Sequence, residues 1–419
     1  MSGTTRGLRT DVCVVGAGPA GLATALLLLR SGIGVTVVER AGDLHREFRG
    51  DVLQPGGALV LDRLGALAGA RDRGCRELGR FCVTGDRGVL LDVDYRRTGG
   101  PHDHLLSIPQ PHVLAELLAH CRELPGFDLV GGHSVRSLLR DTPDGPVRGV
   151  RATGAGGAVE VEARVVVGAD GRFSKVRALA GIDAPRQHVF DSDVLWFRVP
   201  WPDGPTGTAR IHRGAGGAVI TYDVHPGELQ VGWSLPHGSY RDLARQGVEH
   251  VRDLVGQALP ELADVVAGRV RSLQDLTLLD VFGARADRWV DDGLVLVGDS
   301  AHTHSPLGAQ GINLALQDAA VLHPVLHAAL GSGRCDRSAL AGYERERRPA
   351  VEAAFRFQVA QSRMLFGRRR LARVLRPVVA RAVVGGPLGP RLTHRVAHGS
   401  RPVVVRADLF GTGAVPQPA

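Results

Sequence analysis

Apolar residues along this chain follow two rhythms. Asp11–Gly16 (DVCVVG) is a short β-branched run without a polar break, as in a strand buried on both faces. A Gly-rich turn follows, then ALLLLRSG, a helical stretch closed by Gly32 and Gly34, and then VTVVER at 35–40, a second strand. Strand, turn, helix and strand make one βαβ unit, which predicts a parallel sheet. The spacing predicts further helices over 56–68 and 110–123. Residues 147–167 alternate like a β-meander and end in the apolar run ARVVV. Between 194 and 235 come four strand-like runs, VLWFRV, TARIHR, AVITYDV and ELQVGWSL, separated by GAGG and HPG turns. They predict an antiparallel sheet distinct from the first. Helical spacing returns over 241–267, a strand GLVLVG occupies 293–298, and a long helix starts near 311. The remainder to about 400 reads as Arg-rich amphipathic helix broken at Pro377, Gly385, Gly386 and Pro387.

The 419 residues are too many for one ordinary core. The pattern divides them into a discontinuous α/β unit (8–75, 105–185 and 276–345), a β-sheet unit (76–104 and 186–275), C-terminal helices (346–405) and a tail (406–419). Of the 51 basic residues only Lys175 is not Arg, and Asn313 is the sole Asn. Chemistry that needs a Lys Schiff base, a Walker-A Lys or a Ser–Lys dyad therefore has one candidate. The net charge of +8 is concentrated near the C-terminus, where Arg345–Ala407 holds fifteen Arg against Glu346 and Glu352. Solvated helix faces account for such a segment, with association to an anionic membrane or carrier protein as the alternative. Nucleic acid is not expected, since no binding motif accompanies the charge. Five scattered Cys without a metal or CxxC spacing predict reduced thiols and a cytoplasmic protein. The N-terminus has no signal-peptide pattern, and the longest apolar run, Leu22–Leu29, is too short to span a membrane.

Three motifs carry chemistry. In Gly16-Ala17-Gly18-Pro19-Ala20-Gly21, Gly16 permits a tight turn, Gly18 lets backbone approach a pyrophosphate, and Gly21 allows close helix–strand packing. The phosphate then rests on the N–H groups of the helix start. Glu39, 23 residues after Gly16, ends the second strand where a carboxylate can accept from ribose hydroxyls. This first motif does not separate NAD from FAD. The strings GADGRFSKVRALAG (168–181) and GDSAHTHSPLGAQGINLALQDAA (298–320) each follow an apolar strand and turn into a helix.

In this order and spacing, over residues 10–350, the three motifs resemble the FAD-dependent aromatic hydroxylases, the single-component flavoprotein monooxygenases typified by p-hydroxybenzoate hydroxylase. The resemblance implies an α/β fold. Its parts would be a Rossmann-like FAD-binding domain of the GR2 type, an inserted antiparallel β-sheet substrate domain and a C-terminal helical segment. It implies that Gly16, Gly18, Ala20, Gly21 and Glu39 hold the ADP half of FAD. Arg40 and Arg49 would lie beside the cofactor, the latter in FRGDVLQPGG, and Gln110 would contact it. Asp170, with Gly171, Ser174, Val176 and Arg177, matches a motif associated with both FAD and NAD(P)H. Asp299 would accept from the ribityl chain. Gly311, Ile312 and Asn313 would begin a helix aimed at the flavin ring, where its dipole favours the reduced anion. Pro306 would line the oxygen side of the ring.

The implied activity is an NAD(P)H-dependent monooxygenation. Reduced flavin would capture O₂ as a C4a-hydroperoxide and hydroxylate an electron-rich aromatic or polyketide-like small molecule. A reductase, dehydrogenase or epoxidase of the same fold, and a flavin-binding partner protein without turnover, are the alternatives. Halogenation drops out: no Lys lies in 60–100, where related halogenases carry one, and their WxWxIP string is absent. Lys175 reads as a solvated helix residue. The chain resembles the compact branch of the family, without a thioredoxin-like C-terminal domain, as monomer or homodimer. On the antiparallel sheet stand Trp196, Phe197, Arg210, His212, Tyr222 and Trp233, half of which must face the pocket. One of His212 or Tyr222 is expected to accept a phenolic proton. His302 and His304 have a metal-like spacing but no third ligand, so they read as structural and no metal is expected. Truncation after about Pro377 is expected to cost solubility more than flavin.

Overall fold

The computed structural model describes residues 5–43, 51–85, 88–201, 204–214, 217–366, 386 and 389–411. The apolar run around Val12–Val15 forms the centre of a parallel sheet. Arg6–Val15 pairs with Val35–Val38 on one side and Gly157–Gly168 on the other. Phe127–Val130 extends the sheet beyond the former, and Leu294–Leu296 beyond the latter. Val147–Gly154 folds back antiparallel on Gly157–Gly168, and His133–Arg140 pairs antiparallel with Val147–Gly154 in turn, as the meander pattern implies. All four residues of Val35–Val38 are buried, with helix Pro19–Arg30 and the meander strand His133–Arg140 both packed against the strand. Helix Pro19–Arg30 packs on helices Gly311–Ser332 and Gln110–Arg122. The helix predicted over 56–68 is two helices, Pro55–Arg63 and Leu67–Asp72. Gly65 separates them, at a φ of +61° that a side chain would resist.

The second sheet has seven strands, in the order Thr277–Leu279, Ser192–Pro200, Glu228–Pro236, Gly217–Val224, Thr208–Gly214, Arg80–Gly85 and Gly88–Asp94. Only Thr208–Gly214 with Arg80–Gly85 is a parallel pair. Its outer face packs Leu195, Val219, Val231 and Trp233 against helices Gly247–Ala258 and Ala263–Arg269. Its inner face packs Val194, Trp196 and Tyr222 with Val52, Leu105 and Phe355 of the α/β side. Period-2 alternation thus gives the central strands one face toward these helices and one toward the α/β unit.

Toward the C-terminus, Arg337–Phe366 is one long helix, and a second runs Gly389–His398. This second helix, inside the basic segment, docks on the core through its inward face. Ala397 is buried, and the Gln310 side chain donates to the Val396 carbonyl at 3.0 Å. Arg-rich sequence hides the docking because only a few small residues of the helix face inward. Pro377, Gly385 and Pro387 lie outside the described residues. All five Cys are unpaired. Among the described residues, no helix is long and apolar enough to cross a membrane.

Candidate active site

Between the first strand and its helix, the chain makes the turn its glycines predict. Gly16 has a φ of +106°, and a Cβ there would lie 2.5 Å from the Ala169 carbonyl oxygen. A Cβ on Gly21 would stand 1.9 Å from the Gly16 oxygen, so close helix–strand contact demands glycine. Gly18 is extended, Pro19 opens the helix, no side chain caps it, and no acid stands in its first turn. Such a helix start is suited to an anion. Glu39 is buried, and its carboxylate accepts from the Ala17 N–H at 2.7 Å and the Ala41 N–H at 2.9 Å, bracing the turn. Arg40 follows it and is exposed. Arg49 lies outside the described residues.

The second and third motifs are pinned together. The Asp170 carboxylate accepts from the Ser174 hydroxyl and from the N–H groups of Lys175 and Val176, holding the start of helix Lys175–Leu179. Burial raises its pKa against the pull of those donors. Arg177 donates to the Ser300 carbonyl at 2.8 Å, and the Ser300 hydroxyl to the Gly168 carbonyl. Asp299 sits half-buried in the one-turn helix Gly298–Ser300.

Helix Gly311–Ser332 also starts without a side-chain cap or a first-turn acid. A Cβ on Gly311 would meet nothing within 4 Å, so the approach to this end is open. Ile312 is half-buried beside it. Asn313 is 1% exposed and does not point to open space. Its Oδ1 accepts from the Gln54 N–H at 2.8 Å, and its Nδ2 donates to the Ala309 carbonyl. Gln54 in turn donates to the Gly308 carbonyl at 2.8 Å and accepts from the Tyr95 hydroxyl at 3.1 Å. Asn313 therefore ties the 51–57 stretch to the loop before its own helix. That loop is strained: Ala309 has a φ of 49°, the only left-handed non-glycine among the described residues. Gln110 opens helix Gln110–Arg122, and its N–H donates to the Asp51 carboxylate at 3.3 Å. Asp51 is buried and ion-paired at 2.7 Å with Arg198 of the second sheet.

Facing this loop is a narrow cavity. Pro306 and Leu307 form one wall, Val194 and Ile220 of the sheet the other, and Ser192, Ser234, Ser305 and Ser362 add hydroxyls. Tyr222 and Trp196 share the sheet's inner face, with ring centroids 6.2 Å apart. His212 does not. It pairs in register with Val219, whose face carries Trp233 and the outer helices, and it bonds Thr84 at 3.0 Å. Phe197 and Trp233 share that outer cluster, and Arg210 and His212 border a groove there with Leu259 and Glu261. Register thus directs His212 away from this cavity. Tyr222 stands on the inner face. Burial and the nearby Asp51 carboxylate push its pKa well above the ordinary tyrosine range, so it stays protonated and can donate a hydrogen bond.

This geometry was compared with known proteins. The family model described as FAD binding domain matches residues 9–358. The chain belongs to this FAD-binding family. It is 48% identical over 407 residues to 6-methylpretetramide 4-monooxygenase of Streptomyces rimosus, covering 97% of this chain and 96% of that one. Among solved structures, P. aeruginosa PqsL in complex with 2-aminobenzoylacetate superposes with a TM-score of 0.75 at 28% identity, over 88% of this chain and 99% of the other. The anhydrotetracycline hydroxylase OxyS of Streptomyces rimosus gives a TM-score of 0.72 at 26% identity, over 93% and 76%. The protein is thus an FAD-dependent monooxygenase by family.

Its residues fit FAD. Two uncapped helix starts without first-turn acids, at Gly18–Gly21 and at Gly311, suit a pyrophosphate and an anionic ring respectively. What sequence reasoning missed is the bracing behind them. The Gln54–Asn313 clamp and a buried Arg347–Asp318–His302 chain join residues far apart in sequence. His302, Asn313 and Asp318 lie inside the third motif, whereas Arg347 lies outside all three. Asp193, His237 and Asp280 also come within metal-ligand distance of one another. The Asp193 carboxylate already accepts from the Gly238 and Val281 N–H groups, which accounts for its position.

Proposed function

We propose that this protein is an FAD- and NAD(P)H-dependent monooxygenase that hydroxylates a polycyclic phenolic polyketide of the tetracycline-precursor type. The observation that carries the reading is the match to 6-methylpretetramide 4-monooxygenase of Streptomyces rimosus along nearly the whole of both chains. The cavity between Pro306 and the inner face of the sheet, lined by Val194, Ile220, Leu307 and four serines, has room for about one water in this structure and marks where the sheet faces the loop. The 48% identity to 6-methylpretetramide 4-monooxygenase, along nearly the whole of both chains, supports the same substrate class.

Bound FAD supplies the redox chemistry, accepting hydride equivalents from the nicotinamide and passing one oxygen atom of O₂ to the substrate. The chain supplies position and electrostatics. The start of helix Gly311–Ser332 offers N–H groups to negative charge on the ring. Pro306, which has no N–H, lines the cavity without offering a donor that would compete for a transferring oxygen. Tyr222, protonated and on the inner face, donates to a substrate phenolate and so favours the electron-rich form of the ring. The protein would work on a diffusible substrate in the reducing cytoplasm, in keeping with its unpaired cysteines.

The test is to follow NADPH and NADH oxidation with and without naphthacene-type phenols. Stimulation by substrate, with a hydroxylated product, supports the reading. Oxidation without substrate dependence, or a product that is dehydrogenated or epoxidised, would favour the reductase, dehydrogenase or epoxidase alternative.

A further inference from the structure

Behind the Pro306 loop runs an unbroken buried chain of polar side chains. Arg347 Nε donates to Asp318 Oδ1 at 2.8 Å, and Asp318 Oδ2 accepts from the Gly298 N–H at 2.9 Å. His302 Nε2 lies 2.7 Å from that same Oδ2, and His302 Nδ1 lies 3.1 Å from His304 Nε2. His304 Nδ1 then lies 3.2 Å from Gln358 Oε1, while Gln358 Nε2 donates to the carbonyls of Ser305 and Leu307 at 3.0 and 2.8 Å. All five side chains are at most 8% exposed.

Counting protons along this chain gives an unequal sum. The two loop carbonyls can only accept, so they fix the Gln358 amide with its nitrogen toward them and its oxygen toward His304. That oxygen requires a proton on His304 Nδ1. The Asp318 carboxylate, held below the usual carboxylate range because His302 and Arg347 outweigh the effect of burial, requires a proton on His302 Nε2. The contact between the rings requires one more. Three protons sit on two imidazoles that hold two when both are neutral.

We propose that His302 and His304 are a buried monocation, sharing one proton between the rings, and that this cation anchors the Ser305–Leu307 loop through Gln358. The pair is a positioning device: it acts on the cavity wall through the Gln358 amide and touches no reacting atom. Each link polarises the next, so the charge strengthens the two bonds that hold the loop carbonyls on either side of Pro306. The surroundings favour the positive charge on His302. Burial and the neighbouring His302 push the His304 pKa down to about 3, and the Asp318 carboxylate faces His302 directly. The other groups around the pair are Trp289, 5.0 Å from the His302 ring, Phe355 with the Arg285 guanidinium over it, and Tyr343, whose burial keeps it neutral. Asp318, which bonds the pair, is shared with Arg347, so the four side chains Arg347, Asp318, His302 and His304 together carry a net positive charge behind the loop.

The test uses holoenzyme labelled with ¹⁵N-histidine, the two rings being assigned through H302Q and H304Q. The wild-type rings should show three protonated nitrogens and one unprotonated at neutral pH. Two unprotonated nitrogens, one per ring, would overturn the cation. In Gln358→Leu the acceptor for the third proton is gone, so the pair should become neutral and the loop should lose its anchor. Substrate KM should then rise about tenfold, with a smaller fall in kcat. Retention of the third proton in Q358L would overturn the count, and an unchanged KM would overturn the loop role. The KM arm rests on the proposed monooxygenation; the spectra do not, so failure of one is distinguishable from failure of the other. Should Q358L fail to fold, the wild-type spectrum alone still decides the cation.

Discussion

Replacing Asn313 with Ala probes the clamp that joins the 51–57 stretch to the cofactor-facing helix. The substitution leaves the Gln54 N–H buried without its acceptor and the Ala309 carbonyl without its donor. An unsatisfied buried donor costs about 1–3 kcal/mol, and the second lost bond about 1 kcal/mol more. The expected loss is therefore about 2–4 kcal/mol, read from urea unfolding of the apoprotein, with weaker FAD retention read by flavin fluorescence. The geometry also predicts coupling to Gly57. A Cβ at Gly57 would stand 2.1 Å from Asn313 Oδ1, but 3.4 Å from Asn313 Cα. Gly57→Ala alone should expel the amide, whereas in the N313A background the methyl meets only ordinary contacts. The double variant should thus cost clearly less than the sum of the singles. A destabilisation by N313A below about 0.5 kcal/mol, or strict additivity with G57A, would refute the clamp.

Three further outcomes follow from the same geometry. Tyr222→Phe should shift the acidic limb of the kcat/KM profile to higher pH, since a donor to the substrate phenolate is lost, while His212→Ala on the outer face should leave that profile unchanged; a pH–rate series on both variants checks this. His304 and His323 have folded pKa values pushed down by burial, to about 3 and about 4, from the ordinary 6.5. Their stabilisation is complete above about pH 6.5 and is lost as the pH falls toward those values, so Tm should drop steadily between about pH 6.5 and 4; a Tm that rises on acidification would contradict it. Deletion of residues 389–419 should release FAD from purified protein, because helix Gly389–His398 bonds Gln310 through Val396 and crowds Gly56, where a Cβ would meet the Ala397 carbonyl at 3.1 Å. A truncated protein with full flavin content would show that the helix merely covers the core.

Much of this was legible in the chain itself, and the limits have physical causes. Local rules found the βαβ unit, the four strands over 194–235 and the three glycine turns, because each depends on neighbours within a few residues. Alternation showed that His212 and Tyr222 lie on a sheet, but a period of two assigns faces without saying which face is inward. The register with Val219 and Gln230 decides it. The single Asn stood out by rarity, and its position at a helix start was correct. Its partner Gln54 is 259 residues away, so the tie across the site left no local trace. The same holds for Gln358, 54 residues from His304. The charge of the basic C-terminus describes the outward face of its helix and gave no sign of the docking through Ala397 and the Val396 carbonyl.

The central claim is oxygen transfer from O₂ to a polycyclic phenol. It is tested most directly by turnover under ¹⁸O₂ with NADPH or NADH and a pretetramide-type substrate, followed by mass spectrometry of the product. One ¹⁸O atom per product molecule, with nicotinamide consumed in equal amount, is the predicted result. A product free of ¹⁸O, or nicotinamide oxidised with only hydrogen peroxide formed across the phenols tried, would contradict it.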